Sequence, residues 1–285
     1  MLDFMLEAIR IIMLLAFAAL YAYFDLFNKR SIPNAFVYLS LVIGLVSTFF
    51  YPLKLVGYSL LIAIFIVCVG YLLYKAGFLG LGDGLELAFL SLMLPIQPKP
   101  LINIPQLGMP FILSVFIASG VIAMIVLPIY HLLKGKNIEL DLNSALKAVT
   151  VFISYLILLT LIYFILSSIS LIATIFIIII AVFSATLFLF EKSMNEDMIT
   201  WVYPNRLAED DIIATNLMKK SERKFFKSKY KGFGRLVDKK TIAALKNINK
   251  KLPVYTNAIP FSLFILFGVI MSLLIGNPIL LIFYS

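Results

Sequence analysis

Cysteine, histidine and tryptophan each occur once in the 285 residues, as Cys68, His131 and Trp201, and charged side chains make up only 14% of the chain. A single cysteine excludes an internal disulfide and a cysteine-based zinc site, and leaves the redox compartment unreadable. A single histidine confines serine–histidine chemistry to His131. The serine that invites such a reading is Ser119 in IASG (Ile117 to Gly120), 12 residues away on what reads as one helix. That spacing is about 18 Å along a helix axis, so the two cannot form a dyad. His131 is then expected at a membrane interface and Cys68 as a packed apolar residue. No internal repeat or low-complexity tract is present, and Gly232 and Gly234 follow no strand in a nucleotide-binding pattern, so they read as a helix stop.

What the chain has in abundance is apolar surface. It is 62% hydrophobic with mean hydropathy +1.04, well above the roughly 45–50% apolar content of soluble domains. Apolar segments lie at about residues 4–24, 35–51, 57–75, 84–96, 110–130, 148–166, 171–190 and 258–276. Each is expected to be a helix, because lipid cannot satisfy an open backbone. The fold class that follows is an all-α polytopic membrane protein of about eight transmembrane helices, with a small cytoplasmic domain between the last two. Ser167 to Ser170 would close a tight helical hairpin. The first segment follows Asp3, Glu7 and Arg10, unlike a basic-led cleaved signal, and is expected to stay.

Charge orients these spans. The net charge is +9, from 24 Lys and Arg against 15 Asp and Glu. With the N-terminus outside, 21 of the basic residues fall in cytoplasmic loops, 15 of them between Lys192 and Lys251, while Lys54 and Lys99 stay outside and Arg10 sits early in the first span. This is the asymmetry the positive-inside rule expects, and it accounts for the basic balance without nucleic acid. The domains then divide as a membrane core at 1–130, an additional transmembrane hairpin at 131–190, a cytoplasmic domain at 191–257 and a last span at 258–285. Within the cytoplasmic part, ERKFFKSKYKGFG (Glu222 to Gly234) mixes lysines with Phe225, Phe226 and Tyr230. It reads either as an interfacial helix on anionic lipid or as a solvated basic loop.

Against this background the acids are conspicuous. Beyond the N-terminal turn, only Asp25, Asp83 and Glu86 lie at or inside a span, where charge is costly unless it faces protein or water. Asp25 closes the first span and Asp83 opens the fourth, so the proposed orientation places both at the cytoplasmic face. Two carboxylates around one water can hydrolyse an amide: one takes a proton from the attacking water and the other protonates the departing amine, with no metal or cofactor. Which one starts as base is open, because a coupled dyad titrates as a unit. Gly80 and Gly82 would let a substrate backbone approach Asp83 and let the loop adopt positive φ. Taken singly, Asp83 also reads as a cap of the fourth helix, Asp25 as a partner of Lys29 and Asn34 as the cap of the second span.

The chain resembles the type IV prepilin peptidases, and within them the archaeal branch that includes preflagellin peptidases. Asp25 followed by Arg30, Ile32, Pro33 and Asn34 carries the resemblance, together with Gly80-Leu81-Gly82-Asp83 opening a later span. The tail, with LAEDDI (Leu207 to Ile212) and VYTNAIPF (Val254 to Phe261), looks like the C-terminal extension of archaeal members. The resemblance implies that Asp25 and Asp83 are the catalytic pair of a membrane-embedded aspartic endopeptidase. Its implied substrate is a prepilin or preflagellin, cut between a short basic leader and a hydrophobic helix. Leu85 stands where the family commonly has a lysine, and Glu86 lies one turn from Asp83, which leaves Gly80, Gly82 and Glu86 as candidates for binding substrate or shaping the loop. The cysteine quartet and methyl-donor motif of bacterial relatives are missing from the sequence, so cleavage alone is expected. Two other readings share the acids: a presenilin-like intramembrane protease, which would cut inside a substrate's span, and an ion-coupled transporter, which would place its acids near mid-membrane. The expected partners are the precursor and membrane lipid, and oligomeric state is open.

Overall fold

A computed structural model of the chain describes residues 2–28, 32–76, 79–101, 108–133, 141–166, 171–209, 211–215, 217–230, 232–255, 260–278 and 280. Each of the eight apolar segments forms a helix: α1 (Leu2–Phe27), α2 (Asn34–Thr48), α3 (Leu53–Lys75), α4 (Leu81–Met93), α5 (Phe111–Leu133), α6 (Leu142–Leu166), α7 (Leu171–Leu189) and, at the far end of the chain, Phe261–Ile275. Of these α1, α3, α5 and α6 are long and apolar enough to cross a membrane, while α2, α7 and Phe261–Ile275 are shorter apolar helices. The hairpin turn expected at 167–170 lies outside the described residues.

The chain divides into two compact units, one of residues 1–70, 81–192 and 260–285 and the other of residues 71–80 and 193–259. In the first, α4 is the central element. From Glu86 to Met93 every side chain is buried, as a short helix apolar on all sides requires. Neighbours α1, α2 and α5 and the helix 261–275 surround it, and Leu14, Tyr21, Val37, Phe89, Leu90, Phe111, Ile265 and Val269 form the core. Since lipid tails are as apolar as leucine, contact between such helices rests on close packing and on hydroxyl bonds more than on escape from water. Small residues allow it. A Cβ on Gly70 of α3 would meet the Gly84 Cα of α4 at 3.2 Å, and Ser59 of α3 donates to the carbonyl of Ser91 at 3.1 Å. The opposite faces of α3 are exposed, and Cys68 is among them, not packed inside as expected. His131 is buried in the last turn of α5 with its ring 5.7 Å from that of Phe190.

The second unit contains α8 (Glu191–Asp197, which begins in the first unit), β1 (Ile199–Val202), α9 (Lys220–Lys229), α10 (Lys239–Leu245) and β2 (Leu252–Tyr255), followed in the chain by the last apolar helix, α11 (Phe261–Ile275). Strands β1 and β2 pair antiparallel with Ile199 opposite Tyr255 and Val202 opposite Leu252. The expectation of an all-α chain is therefore corrected here: this segment has too few apolar residues for a helical span, and its Leu252–Tyr255 stretch pairs with Ile199–Val202 in a two-stranded sheet. Phe226 is fully buried and stacks on Phe233 at 5.4 Å, over a core with Ile213, Val237, Leu245 and Val254. That burial removes Phe226 from any lipid-facing side of α9. Phe225 remains half-exposed, with the Lys250 ammonium 5.5 Å from its ring.

Candidate active site

The buried stripe of α1 runs through Leu14, Ala18, Tyr21, Ala22 and Asp25, a 3.6-residue periodicity that continues an apolar face into an acid at its last turn. Asp25 is thus turned inward, 7% exposed. The chain then passes Ile32 and Pro33. Pro33 has φ −59° and ψ 126° and precedes α2, whose first residue is Asn34. Asn34 is the first helical residue and makes no cap, which corrects that reading; Lys29, the suggested partner of Asp25, lies outside the described residues.

Helix α4 starts at Leu81, three residues before the expected span, so Asp83 lies inside its first turn and not at the N-cap. An acid there is favoured by the helix dipole. Among the described glycines only Gly108 and Gly276 have positive φ, so the expected left-handed conformation at Gly80 and Gly82 is not adopted. Gly82 instead meets Ile32: a Cβ there would come within 2.9 Å of the Ile32 Cδ1. The Ile-Pro-Asn and Gly-Leu-Gly-Asp elements, about fifty residues apart in the chain, touch through that pair.

What joins the acids is a residue for which sequence reasoning had no signal. Ser262, in the first turn of α11 and fully buried, donates its backbone N–H to the Asp25 Oδ2 at 3.1 Å and its hydroxyl to the Asp83 Oδ1 at 3.3 Å. The first N–H groups of a helix have no partner within it, and Asp25 supplies one from a helix 237 residues earlier in the chain. VYTNAIPF ends one residue short of this serine; a serine near a helix start is too common to single out.

Glu86 completes the cluster. It is wholly enclosed, neither carboxyl oxygen makes a hydrogen bond of good geometry, and its polar surroundings are the Ser262 hydroxyl, Asp83 and Asp25. Such enclosure leaves it no exposed surface. Tyr21, within electrostatic reach of Glu86, shares a 2.6 Å hydrogen bond with the hydroxyl of Ser40. Among the described residues no group of three or more His, Cys, Asp or Glu is arranged to hold a metal ion. Ser119 and His131 both lie in α5, and the Ser119 hydroxyl is turned back to the Val115 carbonyl at 2.7 Å, so neither joins a site.

Two carboxyl groups from different helices are tied to one serine, and Asp83 is partly open to its surroundings; carboxyl pairs around one water are the groups that acid–base hydrolysis uses. Residues 12–129 match the model of the type IV leader peptidase family. That match covers less than half of the 285 residues. The leader-peptidase segment contains Asp25, Asp83 and Glu86, whereas Ser262 lies beyond it. The family points to a peptidase, and the apolar helices to a multi-pass membrane protein. No curated protein and no solved structure matches the chain.

Proposed function

We propose that this protein is a membrane-embedded aspartic endopeptidase that removes the basic leader from prepilin-like or preflagellin precursors, with Asp25 and Asp83 as its catalytic pair. The observation that carries this reading is that the two acids singled out in the sequence are held by one buried serine, within a family of leader peptidases. One carboxylate takes the proton of a water as it attacks the scissile carbonyl, and the other carboxyl protonates the departing amine. Gly82 serves this site by accommodating Ile32 beside the Asp83 turn, and Gly80 leads into that turn. The basic loops orient the chain with its N-terminus outside, so that both aspartates face the cytoplasmic side, where a leader waits.

The test is incubation of the purified protein in detergent with pilin-like and preflagellin precursors, reading each new N-terminus by mass. Cleavage at the junction of leader and hydrophobic helix, lost in Asp25→Asn and Asp83→Asn, is the expected result. Cleavage inside the hydrophobic helix would instead favour a presenilin-like protease. No cleavage, together with proton-driven uptake in vesicles, would favour a transporter.

A further inference from the structure

We propose that Ser262 is a positioning residue for the aspartate pair: its backbone N–H holds Asp25 while its hydroxyl holds Asp83, so that α11 sets the separation and orientation of the two carboxyl groups. This rests on the reading of Asp25 and Asp83 as the catalytic pair, and it brings the last apolar helix, outside the leader-peptidase segment, into the chemistry.

The acceptors of Ser262 set it apart from the other buried hydroxyls: Ser59 also reaches across to another helix, but to the Ser91 backbone carbonyl, and Ser40 meets the Tyr21 hydroxyl. Ser40, Ser91 and Ser119 turn back to carbonyls of their own helices, at Val37, Ala88 and Val115, which is the usual way a helical hydroxyl is satisfied. The Ser262 hydroxyl reaches across to α4, while its N–H reaches across to α1. Two donors fixed on one residue by covalent geometry therefore diverge to two acids on two helices. Both contacts are compatible with proton exchange, because a hydroxyl can donate or accept and a carboxyl group retains an acceptor oxygen in either protonation state. Glu86 is fully enclosed beside the same hydroxyl and lacks a hydrogen bond of good geometry.

The position of Ser262 is itself held. A Cβ on Gly268 would collide with the Ser119 hydroxyl and lie 2.7 Å from the Val115 carbonyl oxygen. The backbones of α11 and α5 are thus in close approach two turns from Ser262, and α11 has little freedom to slide. A rigid support behind two reacting groups is what positional catalysis needs, since displacement of about 1 Å can cost on the order of 100-fold in rate.

The experiment compares the full-length protein with Ser262→Ala and Ser262→Thr in detergent, using a precursor that the parent cleaves. Ser262→Ala, which keeps the backbone N–H to Asp25 and removes only the hydroxyl to Asp83, is expected to lower kcat about 10- to 100-fold with little change in KM, and to alter the pH profile of cleavage, while Ser262→Thr, which restores a hydroxyl, recovers most of the rate. Thermal unfolding checks that each variant is folded; should the alanine variant fail there, Ser262→Cys carries the same comparison with a weaker donor. A folded Ser262→Ala protein with parental kcat and an unchanged pH profile would overturn the proposal, and so would a folded threonine variant as slow as the alanine one. If the parent cuts no precursor, or if Asp25→Asn and Asp83→Asn cut normally, the reading of the pair fails and the positioning role falls with it. An active parent, inactive aspartate variants and an indifferent Ser262→Ala remove the role of Ser262 alone.

Discussion

Asp238 and Asp25 both accept a hydrogen bond from a backbone N–H in the first turn of a helix, yet they do so in opposite ways. Asp238 caps its own helix: at the surface of the small unit it accepts the N–H and the hydroxyl of Thr241, three residues on, at 2.7 and 2.6 Å. The Thr241 hydroxyl and N–H hold its carboxyl below the usual carboxylate range. Glu222, at the start of α9, is likewise held low, by the N–H of Lys219 and then by Lys250. Asp25 is buried at the end of one helix and accepts from the start of another, through a residue that also reaches Asp83. A local cap organises one turn of chain. An acid that satisfies a distant helix start links the ends of the chain and shares its partner residue with a second acid.

The largest effect that separates the two cases is expected from Asp25→Asn and Asp83→Asn. Asparagine keeps an acceptor oxygen for Ser262 but cannot serve as acid or base, so leader removal should fall by about 10²–10⁴-fold or more while the thermal midpoint stays near the parent's. Robust cleavage by either variant, measured by mass of the new N-terminus, would reduce that aspartate to a cap. Next comes Gly268→Val, which forces α11 away from α5 without touching an acid. Overpacking of this kind typically costs about 1–3 kcal/mol, read as a lower unfolding midpoint, and cleavage should fall with it if the seating of α11 holds the pair together.

In the small unit, Asp238→Ala should cost about 1 kcal/mol through loss of the cap. Trp201, the only tryptophan and half-exposed on β1, offers a fluorescence signal for that unit. Acid titration sharpens the same point. The folded carboxyls of Asp238 and Glu222 bind protons less readily than in the unfolded chain, so protonation favours unfolding. Their contribution should be complete above the ordinary carboxylate range near pH 4 and be lost progressively as the pH falls from there through their lower folded values, and Asp238→Asn should weaken that dependence. The smallest effect is expected for Gly82→Ala, whose Cβ meets only the mobile end of Ile32. A change below about 0.5 kcal/mol in stability would show that this contact yields by a small side-chain shift.

Reading the sequence identified every apolar helix and the acids Asp25, Asp83 and Glu86, because lipid requires long apolar helices and makes an acid within them stand out. Helix α4 begins three residues before the span that composition suggests, because Gly82 sits in its first turn in close contact with Ile32 instead of in a loop. The sheet of the small unit was missed because its two strands are four residues each and lie about fifty residues apart. The membrane-protein class and the chemical identity of the acids were thus determined by sequence alone, through composition and local periodicity. Only the tertiary structure decided that Ser262 joins Asp25 to Asp83 and that Glu86 is sealed beside them. Those relations depend on how α11 returns to pack against α1 and α5, and nothing in the spacing of residues along the chain encodes a contact made across 237 positions.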